Sequence, residues 1–171
     1  MRRLWCMALA AASLCGAGIP ALAGESLLVG RVERITLVPR GAPECPSSCP
    51  TTTPDGRPFV CVSNEGGCQH TRFRIEQVLL GDDKPGLKDV DNGMGEWGQL
   101  VFPLEHGPIL VHLDGNRVRW SQVVRRDGRL WFAPQSFKRD VIQGVAPASI
   151  EAGADGWAPL DLLLERLHLP H

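Results

Sequence analysis

Ile109-Leu110-Val111-His112-Leu113-Asp114-Gly115-Asn116-Arg117-Val118-Arg119-Trp120 is the stretch from which the fold class is read. An apolar run meets Asp-Gly-Asn, and a second run follows in which Val118 and Trp120 alternate with arginines. Asp-Gly supplies the positive backbone angles that a tight hairpin needs, so the spacing predicts two antiparallel strands. The pattern repeats at once: Asp127-Gly128 separates Gln122-Val123-Val124 from Leu130-Trp131-Phe132.

Working back towards the N-terminus, Thr71-Arg72-Phe73-Arg74-Ile75-Glu76-Gln77-Val78-Leu79 alternates as a half-solvated strand does. Phe73, Ile75 and Gln77 are expected on one side, with Arg72, Arg74 and Glu76 on the other. Residues 27–35, 59–62 and 100–102 are further strand candidates. Residues 81–86 and 64–67 carry turn chemistry, and residues 91–98 read as a polar, Gly-rich loop. At the other end, Leu160, Leu163, Leu164 and Leu167 recur at helical spacing behind Pro159. Asp161 and Arg166 suit the two ends of that helix's dipole. The expected fold is mainly β: a small OB-like barrel, closed or partly open, with a C-terminal α-helix.

Residues 1–23 read as a secretory signal. Arg2 and Arg3 precede an uncharged apolar run, and Ala21-Leu22-Ala23 offers a cleavage site before Gly24. Residues 24–171 are then one β-rich domain, expected in the periplasm or outside the cell, with no later membrane span. Cleavage removes Cys6 and Cys15 and leaves Cys45, Cys49, Cys61 and Cys68. An even set in an exported chain argues for two disulfides. Pro39, Pro43, Pro46, Pro50, Pro54 and Pro58 make residues 39–58 a loop-like insertion, because proline removes backbone donors. Three pairings are open. A nested pattern, Cys45–Cys68 around Cys49–Cys61, is centred on the turn at residues 54–56 and is slightly preferred. A sequential pattern would close two small loops instead.

Leu28-Val29-Gly30-Arg31-Val32, the run at residues 73–82 and the strand at residues 106–113 together resemble netrin-like, TIMP-like domains, which share the OB barrel. The resemblance spans roughly residues 27–113. It implies a barrel and a binding role, and it carries no catalytic signature. Metalloprotease inhibitors of that group chelate zinc through a cysteine at the mature N-terminus. Gly24-Glu25-Ser26 stand there in this chain, which argues against that mechanism.

Several chemistries find no support in the sequence. There is no P-loop, no dinucleotide fingerprint, no His-Glu-x-x-His and no Gly-x-Ser-x-Gly elbow. The net charge of -1 gives no field favouring nucleic acid. Cys45-Pro46-Ser47-Ser48-Cys49-Pro50 resembles the motif of exported Sco-type copper chaperones, with His70, His168 or His171 as further donors. Its flanks lack the strand and helix that such proteins need. Glu96 beside Trp97 suggests an acid with a sugar platform, though spacing identifies no partner acid. Arg117, Arg119, Arg125, Arg126 and Arg129 cluster on the late hairpins around Trp120 and Trp131. That cluster is read first as a charged outer face with inward-pointing tryptophans.

The expectation is an exported, non-enzymatic binding domain, without cofactor or metal, for a protein or glycan partner in the envelope. Glu96, Trp97, Arg119 and Trp120 are its candidate ligand contacts. A copper-binding or thiol-redox protein using Cys45, Cys49 and His70 is the alternative, and a small wall-acting hydrolase is a third reading.

Overall fold

The computed structural model describes residues 24–46, 52, 54–58, 66–95, 98–104 and 107–169. The strands are β1 (Ser26–Val38), β2 (Cys68–Leu80), β3 (Gly86–Gly93), β4 (Pro108–Asp114), β5 (Arg117–Arg126), β6 (Arg129–Phe132) and the short β7 (Ala158–Pro159). One helix, α1 (Leu160–Arg166), follows. All strand pairs are antiparallel, in the order β3-β2-β1-β4-β5-β6-β7. The fold is therefore mainly β with one short C-terminal helix, as the hairpin signals predict. The sheet is not closed into a ring: among the described residues no pairing joins β3 to β5 or β7.

β1 explains the shape. Leu27, Leu28 and Val29 are all buried, so this strand is covered on both faces. Leu27 and Val29 join a core with Leu110, Val123, Phe132, Phe137, Ile142 and Leu160, Leu163 and Leu164 of α1. Leu28 and Val32 join a second core with Phe73, Ile75, Phe102, Ile109, Val111 and Val118. β4 is shared in the same way, Leu110 facing one core and Ile109 and Val111 the other. β1 pairs with β4 only from Ser26 to Arg31, then continues with β2 alone to Val38. The β1–β2 register shifts at Gly30, where a Cβ would stand 2.1 Å from the Arg74 carbonyl oxygen and 2.7 Å from Phe73 Cζ. No other residue permits that approach.

Three expectations need correction. Gln77 does not share the buried side with Phe73 and Ile75. The β1–β2 register shifts between Val29↔Gln77 and Gly30↔Ile75, so Glu76 is bulged and the alternation reverses beyond it. Residues 91–93 end strand β3 rather than opening a loop, because Asp91, Asn92 and Gly93 pair with His70, Gln69 and Cys68. Residues 100–102 are not a strand. Their backbone is held by side chains, as described below. The strand expected at residues 59–62 lies outside the described residues, as does the signal segment.

Residues 133–157, for which the sequence offers no periodicity, cover the first core through isolated anchors. Phe137, closing a 3-10 turn at Pro134–Phe137, Ile142, and Ile150, just after a second at Pro147–Ser149, are buried. Leu160, Leu163, Leu164 and Leu167 dock on the same core. Such a short helix is not stable alone, so docking must hold it. Burial of one leucine contributes about 1.5–3 kcal/mol, and a carboxylate there would be desolvated without a partner. Leu163→Asp is expected to unfold or release α1 and lower the thermal midpoint, whereas the exposed Glu165 can become Ala with little change. Melts of both variants check this; an unchanged midpoint for Leu163→Asp would mean the stripe is not docked.

Candidate functional site

The open side of the sheet is built by β5. Its Ile109-facing edge pairs with β4 over residues 117–122, and its other edge pairs with β6 only over residues 123–126. Among the described residues, the outer edge of residues 117–120 therefore has no strand beside it. Gly115-Asn116 is a two-residue turn, so Asp114 and Arg117 form a hydrogen-bonded pair and every second residue bonds to β4. Val118 and Trp120 thus point their backbone groups outwards, away from β4. The Val118 carbonyl accepts a hydrogen bond from its neighbour's side chain, Arg119 Nη1, at 3.1 Å.

β3 stands opposite. Asn92 Nδ2 donates to the Asn116 carbonyl at 3.3 Å, which ties the two edges together at one end. Between them lies a groove of about 280 Å³ bounded by Asp91, Asn92 and Gly93 on one side and Arg117, Val118 and Arg119 on the other. It shares Gly93, Val101, Val118 and Arg119 with a larger space of about 540 Å³ that runs on to Gln99, Trp120, Ser136 and Arg139.

The floor is the segment read from sequence as a strand. Gln69, fully buried, accepts from Val101 N–H at 2.6 Å and Phe102 N–H at 3.1 Å, and its Nε2 donates to the Phe102 carbonyl at 3.2 Å. Trp120 Nε1 donates to the Val101 carbonyl at 2.9 Å. These bonds replace a strand ladder, and Phe102 fills the core beside Phe73, ring centroids 6.0 Å apart. No sequence motif marks Gln69, yet it shares the parity of Phe73 and Ile75, a polar residue in a buried register.

Of the residues singled out from sequence, Arg119 and Trp120 meet at this groove. Trp120 is anchored inwards as a wall of the groove rather than as a stacking platform. Glu96, Trp97, Cys49 and Cys61 lie outside the described residues. Cys45 is bonded to Cys68, the outer bridge of the nested pattern, and is fully buried. Cys45 is therefore no free thiolate for a soft metal site. His70 lies across the β2–β3 pair from Asp91, its Nδ1 2.7 Å from Asp91 Oδ1. Among the described residues no group of three His, Cys, Asp or Glu is placed to hold a metal ion, and no helix is long and apolar enough to cross a membrane.

The arginine cluster does not form one face. Arg126 sits 5.3 Å from the Trp131 ring centroid and 5.5 Å from that of Trp157, and it pairs with Asp155. The Arg126 hydrogen bond, helped by the Trp157 N–H, holds the Asp155 carboxyl below the usual carboxylate range. Arg125 caps the Gly128 carbonyl, and Arg129 lies 3.7 Å from Asp161. Arg119 lies 3.7 Å from Asp140, which in turn lies 3.5 Å from Nδ1 of the buried His112; His112 Nε2 is 3.0 Å from Glu25. On the outer face of β1–β3, Arg31 pairs with Glu76, Arg74 with Glu33 and Arg72 with Asp89, while the exposed Arg34 has no acidic partner among the described residues. Arg117 and Arg139, on the groove, have no acidic partner among the described residues. The site is thus an open, positively biased groove with exposed backbone along one wall.

Comparison with family models, with curated proteins and with solved structures finds no match.

Gln69→Leu keeps the volume but leaves the Val101 and Phe102 groups without their partner. It is expected to lower stability by about 2–4 kcal/mol in urea unfolding; an unchanged midpoint would show that the clamp is not formed. Cys68→Ser opens a crosslink that spans 23 residues. A loss of about 3 kcal/mol is expected under oxidising conditions, and wild-type stability there would contradict a structural bridge.

Proposed function

We propose that this chain is an exported, non-enzymatic binding domain on an OB-like, partly open barrel of netrin-like type, and that its ligand seat is the groove between β3 and β5. The sheet order supports the barrel reading. β3-β2-β1-β4-β5 brings β3 and β5 to the two sides of the remaining gap, as in a five-stranded OB barrel, and the Asn92–Asn116 bond bridges it. The Cys45–Cys68 disulfide is consistent with an oxidising destination.

The observation that carries the function is the charge contrast. Arg31, Arg72 and Arg74 are paired with acids and Arg126 with Asp155 between two tryptophans, whereas Arg117 and Arg139 line the groove with no acidic partner among the described residues. Cationic groups left open beside a concave surface favour an anionic ligand, an acidic protein segment or an acidic glycan of the envelope.

The test is an amide NMR titration of the oxidised mature chain with two probes, an acidic peptide and a uronate oligosaccharide. Shifts concentrated at residues 91–93, 117–120 and 136–139, and abolished by an Arg117→Ala, Arg139→Ala double variant, are expected for at least one probe. Shifts scattered over the surface, or none with either probe, would overturn the reading.

A further inference from the structure

Resting on that reading, we infer that the groove takes an extended segment of a partner protein, carrying acidic residues at alternate positions, as an added strand on the open edge of β5. The main chain carries the argument first. Val118 and Trp120 present their peptide groups on an edge that β6 covers only beyond residue 123. A strand edge is a template for another extended chain. The Val118 carbonyl is occupied by a side chain from its own strand, Arg119 Nη1 at 3.1 Å. An incoming N–H can take over that acceptor and release the guanidinium towards the ligand.

The side chains then set the pattern. Arg117 and Arg119 are two apart on β5 and exposed, so they stand on one face, and Val118 and Trp120 face the interior. A strand laid alongside places its own alternate residues on the same two faces. Acidic residues at every second position would meet Arg117 and Arg119, with Arg139 at the end of the groove. The intervening residues would turn towards the floor at Leu100 and Val101 and must be small or apolar. Arg119 already lies 3.7 Å from Asp140, so Arg117 and Arg139, which have no acidic partner among the described residues, carry the charge open to the ligand. A glycan offers the charge but no ladder of N–H and C=O groups, so the exposed peptide edge favours a polypeptide.

The experiment uses the oxidised mature chain and an eight-residue peptide that alternates Glu with Val or Thr, capped at both ends. Binding is followed by calorimetry and by hydrogen exchange of the backbone amides. Strand addition is expected to slow exchange at Val118 and Trp120. N-methylation of alternate peptide nitrogens, and separately Gln in place of Glu, should each weaken binding at least tenfold. Arg117→Glu, at an exposed position that leaves the core intact, should do the same, and Arg117→Lys should restore most of the affinity. If the peptide shifts the groove residues but N-methylation leaves its affinity unchanged, strand addition is overturned while the binding groove stands. If the uronate oligosaccharide binds the groove and the peptide does not, the polypeptide inference is overturned in favour of a glycan. If neither probe reaches the groove, both readings fall.

Discussion

Leu27, Leu28 and Val29 are consecutive residues of one strand, and they are buried in two different cores. A strand can serve two cores only if both its faces are covered, so something must cover each side. On one side the sheet itself bends over Leu28, carried round by β2 and β3 beyond the close approach at Gly30. On the other side, among the described residues, no second sheet does this. β6, β7, α1 and the anchors Phe137, Ile142 and Ile150 close over Leu27 and Val29 instead.

The open groove follows from this division. β5 would complete the bent half of the sheet by pairing with β3 along its outer edge. From Val123 onwards that edge is taken by β6, which leads into the covering of the first core. What remains, residues 117–120, faces β3 across a gap bridged by side chains. Gln69 and Trp120 hold residues 101 and 102 below it, so the second core is sealed by Phe102 without a strand filling the seam. Stability and the accessible edge thus come from one arrangement.

The sequence was most informative where a local rule is strong. The Asp-Gly turns, the alternation of Arg72 to Ile75 and the leucine spacing of α1 are each decided within a few residues, and the structure agrees with them. Alternation fails beyond Ile75 because a bulge at Glu76 depends on the partner strand. Val101 and Phe102 look like a strand in composition, yet their hydrogen bonds go to side chains more than 18 positions away in sequence. Arg119 and Trp120 could be nominated from the hairpin, whereas Ser136, Arg139 and Gln99 could not. They reach the groove through turns with no periodic pattern. The Cys45–Cys68 bridge was legible as a preference only, since spacing alone fits other pairings.

The central claim is that one edge of β5 is paired in its second half and open in its first. Amide hydrogen exchange on the unliganded, oxidised chain tests it within a single strand. The hairpin register puts the N–H groups of Val118, Trp120, Val124 and Arg126 on the same edge. Val124 and Arg126, bonded to β6, should exchange slowly, while Val118 and Trp120 should exchange markedly faster. Equal, strong protection of all four would mean that β3 pairs with β5 in solution and that the groove does not exist.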